Sequence, residues 1–415
     1  MGSIQQHATS VYGANVLNTK SLSEAAQSNF SKRVLSIDAF RGLTILIMIF
    51  VNTVAGVHGI PAWMEHMPGD IDGMTFVDVV FPAFLFIVGM SIPFAMAARR
   101  GASFVQRQTH ILMRAAGLII IGVFMVNAEE GYNEAAMHMS IHLWSLLVYC
   151  CVILTWNVYT FRNATISAAL RIVGIVGLIM LGFIFRGGPT GELRLSPQWW
   201  GILGLIGWAY LYSCILYQLS RGRLVILMMA LGFCVIYYCV GHLDGQSNSW
   251  WAAQTENASH SSIALGGLIC SLIFFDSTHQ KSTGYRFLQA AMLVLLMLII
   301  GYLLRPYFHI SKIDATPTWC LYSSAICIAL FGLLYWIVDL TGRKNWSKFF
   351  RPAASNPLLT YIIPFIAYAF TEYFHLSLPD VLHDGLPGMI WSAVYAIAVM
   401  ALVVGLNRLK IRLQL

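Results

Sequence analysis

Apolar stretches of about 20 residues recur along almost the whole chain. A helix that crosses a bilayer needs roughly 20 mostly apolar residues. The sequence predicts an all-α polytopic membrane protein with about 12 transmembrane helices. The segments that predict them fall near residues 39–57, 74–98, 112–128, 139–158, 165–185, 198–218, 223–241, 262–276, 287–304, 318–340, 356–374 and 387–406.

The composition excludes a soluble domain. Of the 415 residues, 58% are hydrophobic and 10% are charged, whereas a soluble domain usually carries about 25% charged residues. The weakest candidate spans are 139–158, which contains a histidine near its start, and 262–276, which is short. The lipid bilayer is therefore the first predicted partner of this chain.

The basic residues predict how the helices are oriented. The net charge is +7, and Lys and Arg are concentrated in every second loop, as positive-inside topology requires. Four cations depart from this alternation, namely Arg186, Arg194, Arg305 and Lys312. The pattern predicts cytoplasmic termini and a His66 loop that faces the outside. For a bacterial protein, which we expect here, the location is the inner membrane and the loop faces the periplasm. Charge spread over short loops does not favour a nucleic-acid partner.

The first 30 residues are polar and lack the apolar segment of a signal peptide. We therefore expect a flexible cytoplasmic arm over residues 1–32 and a single integral membrane domain over residues 33–415. All eight cysteines lie inside apolar runs, without the spacing of a zinc site. No metal is expected.

The loop between the first two apolar segments is the most polar stretch near the start of the membrane domain. It carries His58, Glu65, His66, Asp70 and Asp72, and no Lys or Arg. An imidazole can accept or relay a proton at neutral pH, and a nearby carboxylate can orient it. His66 and His58 are both candidate bases. For each, a solvated loop histidine is the structural alternative.

Three asparagines lie near the ends of predicted helices: Asn52, Asn127 and Asn356. A buried asparagine can donate a hydrogen bond to a carbonyl oxygen or to a sugar hydroxyl. It can equally join two helices by a structural hydrogen bond. The spacing of these residues leaves both interpretations open.

Three charged residues lie at the ends of the first two apolar segments. Asp78 lies about one turn inside the second, where it can orient a histidine or cap backbone N–H groups. Asp38 and Arg41 are three residues apart, so they can pair along one helix face. At the cytoplasmic end Arg41 would suit the phosphate of a ligand. An N-cap and a positive-inside anchor are the alternatives for that pair.

The string SIDAFRGLTILIMIFVN, followed by EHMPGDIDGMTFVDVVFPAFLFIVGMSI, resembles the signature of one family. That family comprises the transmembrane acyltransferases related to heparan-α-glucosaminide N-acetyltransferase. Three later stretches resemble other segments of the family more weakly. They are GVFMVNAEEGY, IDATPTWCLYSSAICIALFGLLYWIVDL and FFRPAASNPLLTYI.

The resemblance implies transfer of an acetyl group from cytosolic acetyl-CoA to the amine of glucosamine on the far side of the membrane. It implies an active-site histidine at His66 and an active-site asparagine at Asn52. The aspartates of the family pattern fall on Asp38 and Asp78. His58 is the second candidate for the active-site histidine.

We therefore expect an acetyl-CoA-dependent N-acetyltransferase that acts on glucosamine or a related amino sugar. The expected catalytic residues are His66, Asn52 and Asp78. Arg41 and Asp38 would contact the coenzyme, and a homodimer is compatible with this prediction. The expected substrate-binding residues are Asn127 and Asn356.

The rival is an amino-sugar permease without chemistry, because twelve helices with interrupting prolines also suit a transporter. Binding of coenzyme A discriminates between the two functions. Within the acetyltransferase prediction, direct transfer and an acetyl-histidine intermediate both remain open.

Overall fold

The structure is a computed structural model that describes Phe30 and residues 34–161, 163–243, 254–276 and 282–415. These residues are mostly helical, and no strand occurs among them. Their longer helices are numbered α1 to α12 here. They are Leu35–Val54 (α1), Val80–Ala98 (α2), Phe104–Glu129 (α3), Ile141–Trp156 (α4), Ala164–Ile184 (α5), Gly201–Leu219 (α6), Leu224–Leu243 (α7), Thr255–Phe275 (α8), Thr283–Leu304 (α9), Pro317–Tyr335 (α10), Pro357–Tyr373 (α11) and Gly385–Arg408 (α12).

Each predicted apolar segment overlaps one of these helices, so the all-helical membrane class is confirmed. In the described part of the chain, 10 helices are long and apolar enough to cross a membrane. Helix α4 is shorter, and α11 follows the helical segment Trp346–Ser355 at a bend of 81°, which makes up to 11 candidates. The count of twelve spans stays a prediction, as does the orientation of the termini. Apart from Phe30, the predicted arm lies outside the described residues.

Helix α8 differs most from its predicted segment. It begins at Thr255, seven residues before the predicted start, and is the most buried of the candidate spans. Polar residues in its first turns lower the local hydropathy, so the apolar pattern alone does not reveal where the helix begins. Two of their hydroxyls are satisfied within the helix, since Ser261 Oγ donates to the carbonyl of Asn257 and Ser262 Oγ to that of Ser259, both at 2.6 Å. Such a bond lets a serine lie in a buried helix without another partner.

Two glycines allow α2 and α8 to touch through their backbones. A Cβ added at Gly89 would lie 1.7 Å from the carbonyl oxygen of Ala264, and one at Gly267 would lie 1.9 Å from that of Phe86. Small residues at a helix interface permit this close approach in membrane proteins. The contact fixes α2, which starts two residues after Asp78, against the centre of the bundle.

We expect Gly267→Ala to destabilise the protein by about 1–3 kcal/mol, because the new methyl group meets a backbone oxygen that cannot rotate away. The midpoint of thermal unfolding in detergent measures the effect. Gly232→Ala in α7 is the matched control, since nothing lies within 4 Å of its added Cβ. Equal midpoints for the two variants would contradict the close α2–α8 contact.

Contacts between loops define two ends of the bundle. At the first, here called the His66 end, residues 55–76 contact residues 305–316 and 380–385. His58 N–H donates to the carbonyl of His383 at 2.7 Å, and Gly73 N–H donates to that of Ile310 at 3.2 Å.

The opposite end, here called the tail end, carries residues 157–160, 351–356 and 409–415. There Val158 N–H donates to the carbonyl of Arg412 at 2.8 Å. Because α1 and α2 join in the His66 loop, Arg41 near the start of α1 and Arg99 after the end of α2 lie toward the tail end.

Candidate functional site

His66 is held by a buried carboxylate. Its Nδ1 lies 2.7 Å from Asp78 Oδ1. The Asp78 side chain is 1% exposed, whereas that of His66 is 42% exposed. The pair therefore joins a buried anion to an imidazole that a substrate can reach.

Local backbone geometry places Asp78 for this contact. It lies in a 3-10 turn, Val77–Val79, that leads into α2. The Asp78 Oδ2 atom accepts hydrogen bonds from Thr75 N–H at 3.0 Å and from Met67 N–H at 3.2 Å. The Thr75 hydroxyl lies 3.3 Å from the same oxygen and 2.8 Å from the carbonyl of Glu65. Donors aimed at a carboxylate stabilise its ionised form.

This hydrogen bonding assigns the histidine tautomer. Since Asp78 accepts, His66 Nδ1 carries the hydrogen, and Nε2 keeps its lone pair. A carboxylate bound to Nδ1–H fixes the ring orientation and stabilises the imidazolium that forms when Nε2 takes a proton. The arrangement suits a general base or a nucleophile at Nε2.

Lys312 lies in the candidate site, and the sequence analysis did not predict it. Its Nζ lies 3.1 Å from His66 Nδ1 and 3.5 Å from Nε2. Nδ1 already donates its hydrogen to Asp78, so it has no lone pair for a second hydrogen bond. The Lys312 ammonium therefore acts on His66 as a neighbouring positive charge. Burial lowers the pKa of Lys312, and the negative charge of Asp78 partly opposes the shift. The only feature of the sequence that pointed to Lys312 was its position in a loop that the alternation of basic loops predicts to lack cations.

The loop of Lys312 is fastened to the His66 loop at Asp72. Asp72 Oδ1 accepts from Ile310 N–H at 2.8 Å, and Oδ2 pairs with Arg305 Nε at 2.8 Å. The hydrogen bond from Ile310 and the adjacent guanidinium lower the pKa of Asp72. The two cations that broke the charge pattern in this loop, Arg305 and Lys312, therefore both contact the first loop.

The other predicted residues of α1 lie at its two ends. Asn52 is exposed near the His66 end and makes no side-chain hydrogen bond to the described residues. Arg41 is eleven residues earlier, about 16 Å along the helix axis. Its Nη1 lies 3.7 Å from Asp38 Oδ1, and its Nη2 donates to Ser91 Oγ at 2.7 Å. The predicted coenzyme contacts and the histidine are thus not in one cluster.

Asn127 and Asn356 are buried and bonded inside the protein. Asn127 Nδ2 donates to the carbonyls of Val123 and Ser196, both at 2.7 Å. Asn356 Nδ2 donates to Asn407 Oδ1 at 3.0 Å, and Asn356 lies toward the tail end. The structure does not bring either asparagine to His66.

His58 contacts the loop before α12 through its backbone. Its N–H and carbonyl pair with His383 and Gly385, and its side chain is exposed. Among described residues, no buried carboxylate holds its ring as Asp78 holds His66. Nor does the described part of the chain contain a group of three or more His, Cys, Asp or Glu residues arranged for a metal.

These features define a polytopic α-helical membrane protein with a carboxylate-held histidine at one end. A family model described as "Domain of unknown function (DUF5009)" matches residues 33–255, more than half of the chain. The chain belongs to this family.

Two curated relatives are similar over a short stretch. Heparan-alpha-glucosaminide N-acetyltransferase of Mus musculus is 37% identical over 99 residues, which is 23% of this chain and 14% of the relative. The Homo sapiens protein of the same name is 37% identical over 97 residues, again 23% of this chain and 14% of the relative. The matched stretch thus spans 14% of the length of these relatives, and it supports a relation to membrane acetyltransferases.

Proposed function

We propose that this protein transfers an acetyl group from acetyl-CoA to the amine of glucosamine or a related amino sugar. The observation that carries the proposal is the 2.7 Å contact between His66 Nδ1 and the buried carboxylate of Asp78. The partial similarity to two N-acetyltransferases supports the choice of reaction. A permease needs no coenzyme site, so binding of coenzyme A to the protein discriminates between the two functions.

In the proposed reaction the amine nitrogen attacks the thioester carbonyl carbon. A C–N bond forms, the C–S bond breaks, and His66 Nε2 takes the proton lost by the amine. That proton then passes to the coenzyme thiolate. In the alternative route Nε2 attacks the thioester carbonyl, the C–S bond breaks and the coenzyme thiolate leaves. The amine then takes the acetyl group as the C–Nε2 bond breaks, and its proton passes to the thiolate. Asn52, at the same end, is proposed to donate to the developing oxyanion.

The charges at the two ends support a direction across the membrane. Many arginines and lysines of the described residues lie toward the tail end. Few lie at the His66 end apart from Arg186, Arg194, Arg305 and Lys312. Under positive-inside topology this distribution supports a cytosolic tail end. Acetyl-CoA would enter there, and the acceptor amine would meet His66 outside, which in a bacterium is the periplasm.

The remaining predicted residues take different proposed roles. Arg41 and Asp38 lie toward the tail end, so a contact with cytosolic coenzyme remains our proposal for them. Asn127 and Asn356 use their amide groups inside the protein. We therefore propose that they support the fold and do not bind the sugar.

Incubation of the purified protein with labelled acetyl-CoA and glucosamine tests the function. We expect labelled N-acetylglucosamine to form and coenzyme A to be released in equal amount. Glucosamine counterflow in proteoliposomes without coenzyme, together with no acetylated product, would instead establish the permease. Replacing acetyl-CoA by longer acyl donors and glucosamine by other amino sugars then defines the substrate range.

Lys312 gives the proposed reaction a testable pH dependence. Its ammonium can stabilise the developing oxyanion beside His66, so activity should fall as pH rises through its pKa. Because burial lowers this pKa, the fall should begin below the range usual for lysine. Lys312→Arg should move the alkaline limb of the kcat profile to higher pH, since arginine keeps its charge. Lys312→Met should remove that limb and hold kcat, across the pH range, near the low value that the wild type reaches above the pKa of Lys312.

A kcat profile of Lys312→Arg that superimposes on the wild type would contradict this role. Lys348→Arg serves as the matched control, because Lys348 is exposed and lies in the Trp346–Phe350 turn near the tail end.

A further inference from the structure

An unexplained cavity runs from the tail end along the inner faces of four helices. Its volume is about 430 Å³, and α2, α3, α6 and α11 line it together with the C-terminal residues. We call it the basic groove. Its polar mouth is formed by Arg99, His110, Arg114 and Arg412.

The arginines of the basic groove come from separate parts of the chain. Arg99 follows α2, Arg114 lies on α3 and Arg412 lies after α12. None of the three pairs with an acidic side chain of the described residues, and no aspartate or glutamate lines the groove. Arg114 instead stacks over the ring of Tyr210, 4.8 Å from its centroid. Such an uncompensated set of guanidinium groups suits a polyanion.

A second cavity adjoins the groove at the same end. Its volume is about 550 Å³, and Arg351, Arg408 and Arg412 line it. Arg412 and Ser355 line both cavities, so the two are continuous at these residues. Arg351 Nε is buried and has no hydrogen-bond partner among the described residues. A buried N–H donor without an acceptor costs folding free energy, unless a bound ligand supplies the acceptor.

The groove changes from charged to apolar along its length. It extends from Arg99, just after the end of α2, back to Phe84 in α2, a separation of 15 residues or about 22 Å along the helix axis. Val88 and Leu118 also line it. Phe84 is six residues from Asp78, which is about 9 Å of helix rise. The apolar end therefore points toward the His66–Asp78 pair, and the cationic end opens on the opposite side.

This order of charge and apolar surface matches the order of groups in acetyl-CoA, in which phosphates lead to a long uncharged arm and then to the thioester. We propose, resting on the proposed acetyl transfer, that Arg99, Arg114 and Arg412 bind the diphosphate of the coenzyme. Arg351 and Arg408 bind its nucleotide phosphate. The apolar part of the groove holds the pantetheine arm.

A phospholipid with an anionic headgroup shares this chemistry, since it also joins phosphate to an apolar chain. The test therefore compares the two ligands. Calorimetry measures coenzyme A binding to the protein in nanodiscs of phosphatidylcholine and in nanodiscs with added phosphatidylglycerol. The variant is Arg99→Gln/Arg114→Gln, and the control is Arg343→Gln, an exposed arginine that lines neither cavity.

We expect the double variant to bind coenzyme A and adenosine 3′,5′-bisphosphate at least tenfold more weakly than the wild type. S-acetylpantetheine, which lacks phosphate, should bind both proteins equally. Arg99→Lys/Arg114→Lys should recover part of the affinity and shows that loss of charge, not misfolding, is measured. The control should bind like the wild type.

Unchanged coenzyme affinity in the double variant would overturn the proposed site, and continued acetyl transfer would show that the proposed function survives. Phosphatidylglycerol binding that the double variant loses, with coenzyme affinity unchanged, would assign the groove to lipid and also overturn the site. If the wild type neither binds coenzyme A nor transfers acetyl, the proposed function fails together with the site.

Discussion

His66→Ala is expected to lower acetyl transfer by about a thousandfold or more while coenzyme A binding stays intact. A positioned general base contributes typically 10²–10⁴-fold, and a covalent route through Nε2 would lose more. The ring is half-exposed, so its removal should leave the fold in place. Initial rates of labelled product formation, measured beside calorimetric binding of coenzyme A, give the two quantities.

His58→Ala is the control for this variant, because its ring lies in the same loop without a buried carboxylate partner among described residues. Its rate should stay close to that of the wild type. If His58→Ala lost activity and His66→Ala kept it, the base would have to be reassigned to His58.

The second large effect is expected at Asp78. Asp78→Ala removes the acceptor of the His66 hydrogen bond and leaves the N–H groups of Met67 and Thr75 without their partner. A buried donor left unsatisfied costs about 1–3 kcal/mol. Asp78→Ala should therefore lose both acetyl transfer and thermal stability.

Asp78→Asn separates the two losses. The amide keeps the volume and one acceptor oxygen, so most of the stability should return, but it no longer supplies the negative charge that stabilises a protonated His66. The rate should remain at least a hundredfold below the wild type. Asp72→Asn is the matched control, since it breaks the exposed pair with Arg305, which is worth about 1 kcal/mol or less. Full activity in Asp78→Asn would show that the carboxylate only holds the loop.

The helices were largely predictable because lipid-facing residues must be apolar over about 20 positions. The start of α8 was not, because Ser259, Ser261 and Ser262 lower its hydropathy while their hydroxyls bond within the protein. The short α4 and the bent α11 also show why a count of apolar segments does not fix the number of crossings.

The site was predictable only in part. The family motif pointed to His66 and Asp78, and the structure brings them together. Lys312 is 246 residues from His66 in sequence, so no local pattern joins the two. No local pattern joins Arg99 to Arg412 either, and the sequence indicates only that these charges help to set the topology. Their convergence depends on how the helix ends meet, which requires the folded chain.

The most direct test of the account is acetyl transfer between two compartments. The purified protein is reconstituted in proteoliposomes with glucosamine inside and labelled acetyl-CoA outside. The account predicts labelled N-acetylglucosamine in the lumen, made by the molecules whose His66 end faces inward, and little product when both substrates are outside. Absence of product in every arrangement, with coenzyme A unbound, would contradict it.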